Sequence, residues 1–96
     1  CKHSNYETST RVPLLIRAPG YDKSHGQATR ALTEFVDIYP TLCELCNVKP
    51  DAAIEGQSFV PLLKDPKATV KNVAYSQYPR TMPDHGAAMG YSARTD

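Results

Sequence analysis

Pro40 is the residue that most restricts how this chain can fold. It stands inside Leu32–Val48, LTEFVDIYPTLCELCNV, whose apolar residues suit either a helix or a strand. Proline has no N–H and its ring clashes with the preceding turn, so it is barred from a helix interior but accepted in the first turn. The helix therefore begins near Ile38, with Asp37 as its N-cap. Ile38, Leu42 and Leu45 then recur at i, i+4 and i+7 along one face. Asn47 supplies a C-terminal stop, which Pro50 enforces. The residues ahead of the helix, Leu32 to Val36, read as a short strand feeding it.

The rest of the chain is divided by similar punctuation. Val12-Pro-Leu-Leu-Ile16 is an apolar run closed by Ala18-Pro-Gly20. Such runs suit a strand buried on both faces of an α/β sheet, and Pro13 marks it as an edge or an irregular start. Tyr21 to Gln27 is a polar, glycine-containing loop. Phe59 to Leu63 reads as a second short helix with Ser58 as N-cap, ended by Lys64-Asp65-Pro66. Val73 to Tyr78 and Gly90 to Thr95 have strand composition. Between them, Pro79 to Met89 reads as a loop with two prolines and Gly86. Strand, strand, helix, helical turn and two strands make an α/β chain with a thin core.

Composition narrows the function classes. Eleven basic and ten acidic side chains leave a formal charge of +1, which provides no clustered basic face for nucleic acid. No apolar run approaches the ~20 residues needed to span a bilayer. Three cysteines, Cys1, Cys43 and Cys46, make an odd set that is not a disulfide framework. Cys43-Glu-Leu-Cys46 has the spacing of a redox pair or half a zinc site. A reactive thiol belongs at a helix N-terminus, and this pair falls late in its helix. A zinc site needs two more ligands, and only Cys1 and the histidines are at hand. Packing of the two thiols against the sheet is the simpler reading. Asp84-His85-Gly86 has the letters of a metal or acid–base element, set in a Pro/Gly loop that reads as a polar turn. His25 lies in a similar loop and is expected to face solvent. The tyrosines read as strand and core-edge residues.

The sharpest polar cluster is Lys2, Tyr6, Glu7 and Arg11, just before the apolar run. It is either a solvated lead-in or an anion site, because a lysine ammonium offers a compact charge and three donors to sulfate or phosphate.

Several stretches resemble the sulfatase family. Lys2 to Pro13 resembles the segment K-x-x-x-[YFW]-E-x-x-x-R-[VE]-P, and Asp37 to Leu45 resembles the helix D-[LI]-x-P-T-[LI]-x-x-L. Gly56 to Leu63 resembles the turn G-x-S-[LF]-x-P-L-L. Tyr75–Arg80 and Met89–Thr95 resemble strands of the iduronate-2-sulfatase branch. These segments run in order along nearly the whole chain.

The resemblance implies part of an alkaline-phosphatase-like α/β fold: the end of a central sheet and the start of a smaller C-terminal antiparallel sheet, incomplete as a stand-alone domain. Residues 1–66 would close the core domain and residues 67–96 would open the C-terminal subdomain. It implies a sulfuric ester hydrolase that uses calcium and a formylglycine made from cysteine or serine. Lys2 matches the lysine that contacts the substrate sulfate, so it carries both the catalytic and the substrate-binding assignment; Glu7 and Arg11 are candidates for orienting its segment. The formylglycine motif C-x-[PSA]-[SA]-R is absent, and Cys43-Glu-Leu-Cys-Asn47 does not fit it. The early Asp-Asp metal pair is absent as well. Asp84-His85-Gly86 copies the family's D-H-G metal element but falls at the wrong place in the order, so no metal ligand is assigned in this chain.

The expectation is thus a C-terminal slice of a sulfatase, inactive alone, acting in full length on a sulfated sugar, without nucleic-acid or membrane partners. By resemblance its compartment is periplasmic, secreted or lysosomal. Other readings are a phosphonate or phosphate ester hydrolase of the same superfamily, a small zinc or thiol module built on Cys43 and Cys46, and an orphan fragment with an exposed apolar face at Leu14–Ile16.

Overall fold

The computed structural model of the chain describes residues 4–84 and 86–95. These residues form an α/β arrangement of three short helices and one antiparallel hairpin. The helices are α1 (Glu7–Thr10), α2 (Ile38–Leu45) and α3 (Val60–Lys64), and the strands are β1 (Ala74–Met82) and β2 (Gly86–Arg94). Two 3₁₀ turns, Asp22–Ser24 and Phe35–Asp37, lie between α1 and α2.

α2 begins at Ile38, as Pro40 requires, and ends at Leu45. Asn47 takes the left-handed backbone conformation, φ 54°, and the Val48 N–H donates to Cys43 O at 2.8 Å. This is a helix stop of the kind asparagine tolerates because its strain there is low.

The buried side of α2 differs from the expected stripe. Pro40, Thr41 and Cys43 are buried, whereas Leu42 is 53% exposed. Hydrogen bonding sets this rotation. Thr41 Oγ1 donates to Asp37 O at 2.6 Å and accepts the Phe59 N–H at 3.0 Å. The helix therefore packs against the Phe35–Asp37 turn and α3.

Gly56 explains how the approach to α3 comes so near. A Cβ there would lie 1.9 Å from Val36 O and 2.5 Å from Val36 C. Only glycine lets the two backbones meet at that distance. α3 itself starts one residue later than expected, at Val60, and Ser58 Oγ accepts the Val60 N–H at 3.3 Å.

The small core consists of Ala18, Leu32, Cys43, Phe59, Val60 and Leu62, with Asp37 and Thr41 buried among the polar residues. Burying a polar group without a partner is costly, and both buried polar side chains are bonded.

The expected strands need revision. Val12–Ile16 is not a strand; Val12, Leu14, Leu15 and Ile16 are exposed. A strand takes its ladder bonds from neighbours, and none of the described residues pairs with this run. Leu32–Val36 is not a strand either: Leu32 is buried, while Phe35 opens a 3₁₀ turn. The hairpin, in contrast, is longer than expected. Most of 79–89 is paired strand, with Pro79 opposite Met89 and Met82 opposite Gly86. In a two-stranded sheet both strands are edges, so a proline without an N–H is tolerated. Gly86, at φ 70°, begins the return strand.

Candidate functional site

Lys2 lies outside the described residues, as do Cys1, His3 and His85. The segment that follows Lys2 is well defined. Tyr6 O receives the N–H of Ser9 at 2.8 Å and of Thr10 at 3.1 Å, so residues 6–10 wind into α1. The Ser4 and Ser9 hydroxyls are 2.8 Å apart. No apolar period announces this helix in a segment expected to be either a solvated lead-in or an anion site. Its clearest signal is the Glu7–Arg11 pair at i, i+4, joined at 3.0 Å.

Two contacts hold this segment against the hairpin. Asn5 Nδ2 donates to Gly90 O at 2.8 Å. Glu7 Oε1 also accepts from Arg94 Nη1 at 2.6 Å. Hydrogen bonds from Arg94 and then Arg11 hold the Glu7 carboxyl below its ordinary pKa. Glu7 thus bridges α1 to β2, and Arg11 pairs with the same carboxylate.

A second polar cluster joins Glu34, Asp37 and Lys71. Asp37 is fully buried. Its backbone is helical rather than extended, and its side chain makes no cap bond to α2. Instead Oδ2 accepts the Glu34 N–H at 2.7 Å, and Oδ1 accepts the Gln57 N–H at 2.8 Å. Lys71 Nζ reaches Asp37 Oδ1 at 2.8 Å and Glu34 Oε2 at 2.6 Å. Glu34 Oε1 accepts the Tyr75 N–H at 2.7 Å. The Asp37 carboxylate leaves the cap position because an ammonium and two N–H groups are stronger partners than one helix N–H. Burial works against the Lys71 charge, but the hydrogen bonds it donates to Asp37 and Glu34, and the charges of those carboxylates, outweigh it and raise the pKa above the ordinary lysine value. Lysine partners separated by more than 30 residues carry no local signal.

Cys43 is buried and Cys46 exposed. Cys43 is on the buried side of α2, a helix that packs against α3 and the 3₁₀ turn. A hydrogen bond with Cys43 pushes the Tyr39 phenol above its ordinary pKa. His25, expected to face solvent, is partly exposed. Its Nδ1 lies 3.6 Å from Asp22 Oδ1, and its Nε2 is buried without a partner among the described residues. Asp84 is exposed in the turn between β1 and β2, in keeping with a polar turn; His85 lies outside the described residues. Among the described residues, no three His, Cys, Asp or Glu side chains are grouped to hold a metal ion.

The family model described as N-sulphoglucosamine sulphohydrolase, C-terminal, matches residues 1–96. The chain belongs to the sulfatase family. This sulfatase chain is 39% identical over 79 residues to the Ulvan-active sulfatase of Formosa agariphila, covering 76% of the chain and 16% of that protein. It is 40% identical over 75 residues to arylsulfatase K of Xenopus laevis, covering 78% of the chain and 13% of that protein. It is 31% identical over 97 aligned residues to the N-acetylglucosamine-6-O-sulfatase of Bacteroides thetaiotaomicron, covering 98% of the chain and 17% of that protein. The sulfatase chain thus spans less than a fifth of the length of these relatives. No solved structure gave a significant match. Calcium and formylglycine are general to full-length sulfatases, but the described residues of this chain do not fit either: they group no metal ligands, Cys43 is buried and Cys46 lies outside the modification motif.

Proposed function

We propose that this chain is the C-terminal part of a full-length sulfatase that hydrolyses sulfate esters of sugars, and that Lys2 binds the sulfate. The ammonium of Lys2 donates hydrogen bonds to sulfate oxygens and stabilises the charge that grows on them as the ester bond breaks. Calcium and formylglycine come from other parts of the full-length enzyme. Residues 1–66 close its core domain and residues 67–96 open its C-terminal subdomain. Its compartment is periplasmic, secreted or lysosomal, by resemblance; no described helix is long and apolar enough to cross a membrane.

The observation that carries this reading is the 2.6 Å contact of Glu7 with Arg94. Glu7 belongs to the Lys2 motif and Arg94 to the last strand motif. Residues recognised separately as pieces of one family pattern meet in space, which supports their working as one unit. The sugar substrate is supported by the Bacteroides relative, which is named for a sulfated N-acetylglucosamine. The strands Tyr75–Arg80 and Met89–Thr95 further support the iduronate-2-sulfatase branch.

The test is to incubate the full-length protein with sulfated monosaccharides and disaccharides, an aryl sulfate and a phosphonate monoester. Free sulfate is measured by ion chromatography. Sulfate release from a sulfated sugar is expected. Faster cleavage of the phosphonate ester than of any sulfate would move the assignment to phosphoryl chemistry, which a lysine serves equally well.

A further inference from the structure

We infer that Asn5, Glu7, Arg94 and Gly90 form a clamp by which strand β2 positions the Lys2 segment for substrate, an inference that rests on the proposed role of Lys2. The observations are independent of one another. The Asn5 side-chain amide donates to the backbone of β2 at Gly90. The Glu7 carboxylate takes an ion pair from Arg94, farther along the same strand. Gly90 leaves the room this docking needs, because a Cβ there would meet Asn5 Nδ2 and Arg80 Cγ at 3.3 Å and Tyr78 O at 3.2 Å. Those distances are tighter than ordinary contact, so a methyl at 90 displaces the amide or the strand.

Backbone and side-chain bonds at two points fix a short segment in both position and rotation. Either contact alone would leave it free to pivot. Asn5 stands three residues after Lys2, so the clamp acts over no more than ~10 Å of chain. Asn5 and Glu7 are positioning residues. Neither needs to touch substrate, and displacing a bound group by an ångström is enough to cost large factors in rate.

The experiment is a set of double-mutant cycles on the full-length enzyme with a sulfated sugar substrate. Asn5→Ala, Glu7→Gln and Gly90→Ala are each made alone and in the Lys2→Ala background, and melting temperatures are recorded alongside kcat and KM. Each clamp variant is expected to lower kcat/KM by about tenfold in the parent and by less than twofold when Lys2 is already absent. The same loss in both backgrounds would overturn the clamp and leave a purely structural role. Full activity in all three single variants would also overturn it. If Lys2→Ala itself leaves turnover unchanged, it is the sulfate-binding role of Lys2 that has failed, and the clamp falls with it.

Discussion

Lys71 and Asp37 form an ion pair in which one ammonium serves both oxygens of a fully buried carboxylate, at 2.7 Å to Oδ2 and 2.8 Å to Oδ1. With the N–H groups of Glu34 and Gln57, the four acceptor positions of the carboxylate are filled. This pair ties the start of α2 to the chain that enters β1.

Removing one partner from such a pair leaves an uncompensated buried charge. Lys71→Met in the full-length protein is expected to destabilise it by about 3 kcal/mol, seen as a lower melting temperature. The pair also has a signed pH dependence. The folded pKa of Lys71 lies above its ordinary 10.5, so its contribution is complete below that pH and is lost as pH rises through the folded value. A melting series from about pH 8 to about pH 12 should show an alkaline loss in the parent that is smaller in Lys71→Met. An equal loss in both proteins would contradict the assignment.

Gly56→Ala places a methyl within 1.9 Å of the Val36 carbonyl oxygen. Backbone cannot yield as a flexible side chain does, so the 56–59 segment must move off the Phe35–Asp37 turn. The expected cost is about 3 kcal/mol, with faster amide exchange at Gln57 and Phe59. Unchanged exchange at both amides would show that the close approach is not needed.

Thr41 links α2 to α3 through one hydroxyl. Thr41→Val keeps the shape but leaves the Phe59 N–H buried without its acceptor. A loss of about 2 kcal/mol is expected, and Thr41→Ser should recover most of it. Equal melting temperatures for the valine and serine variants would argue against the bridge.

What the sequence made legible was what depends on local stereochemistry. Pro40 located the start of α2, Asn47 its stop, and Ser58 the start of α3 to within one residue. The hairpin strands were found but cut short, because Pro79 and Gly86 read as loop signals that an edge strand can absorb, while Pro83 does lie in the turn. Val12–Ile16 and Leu32–Val36 were misread as strands because apolar composition reports burial tendency, whereas a strand exists only with a bonded neighbour. Asp37 was noticed as a cap of α2; its carboxylate instead makes one local bond, to the Glu34 N–H three residues back, and two distant ones, to Gln57 and Lys71, 20 and 34 residues away. At the candidate site, Glu7 and Arg11 could be singled out from their motif positions, but no spacing rule could give Arg94 as the partner of Glu7.

The measurement that tests the account most directly is sulfate release by the full-length enzyme and its Lys2→Ala variant, on the same sulfated sugar and at equal folded concentration. Loss of one preorganised charge donor to the reacting group is expected to lower kcat by about a hundredfold or more, with the melting temperature unchanged. Sulfate release within twofold of the parent would contradict the account, since the segment clamped to β2 would then hold nothing that the reaction uses.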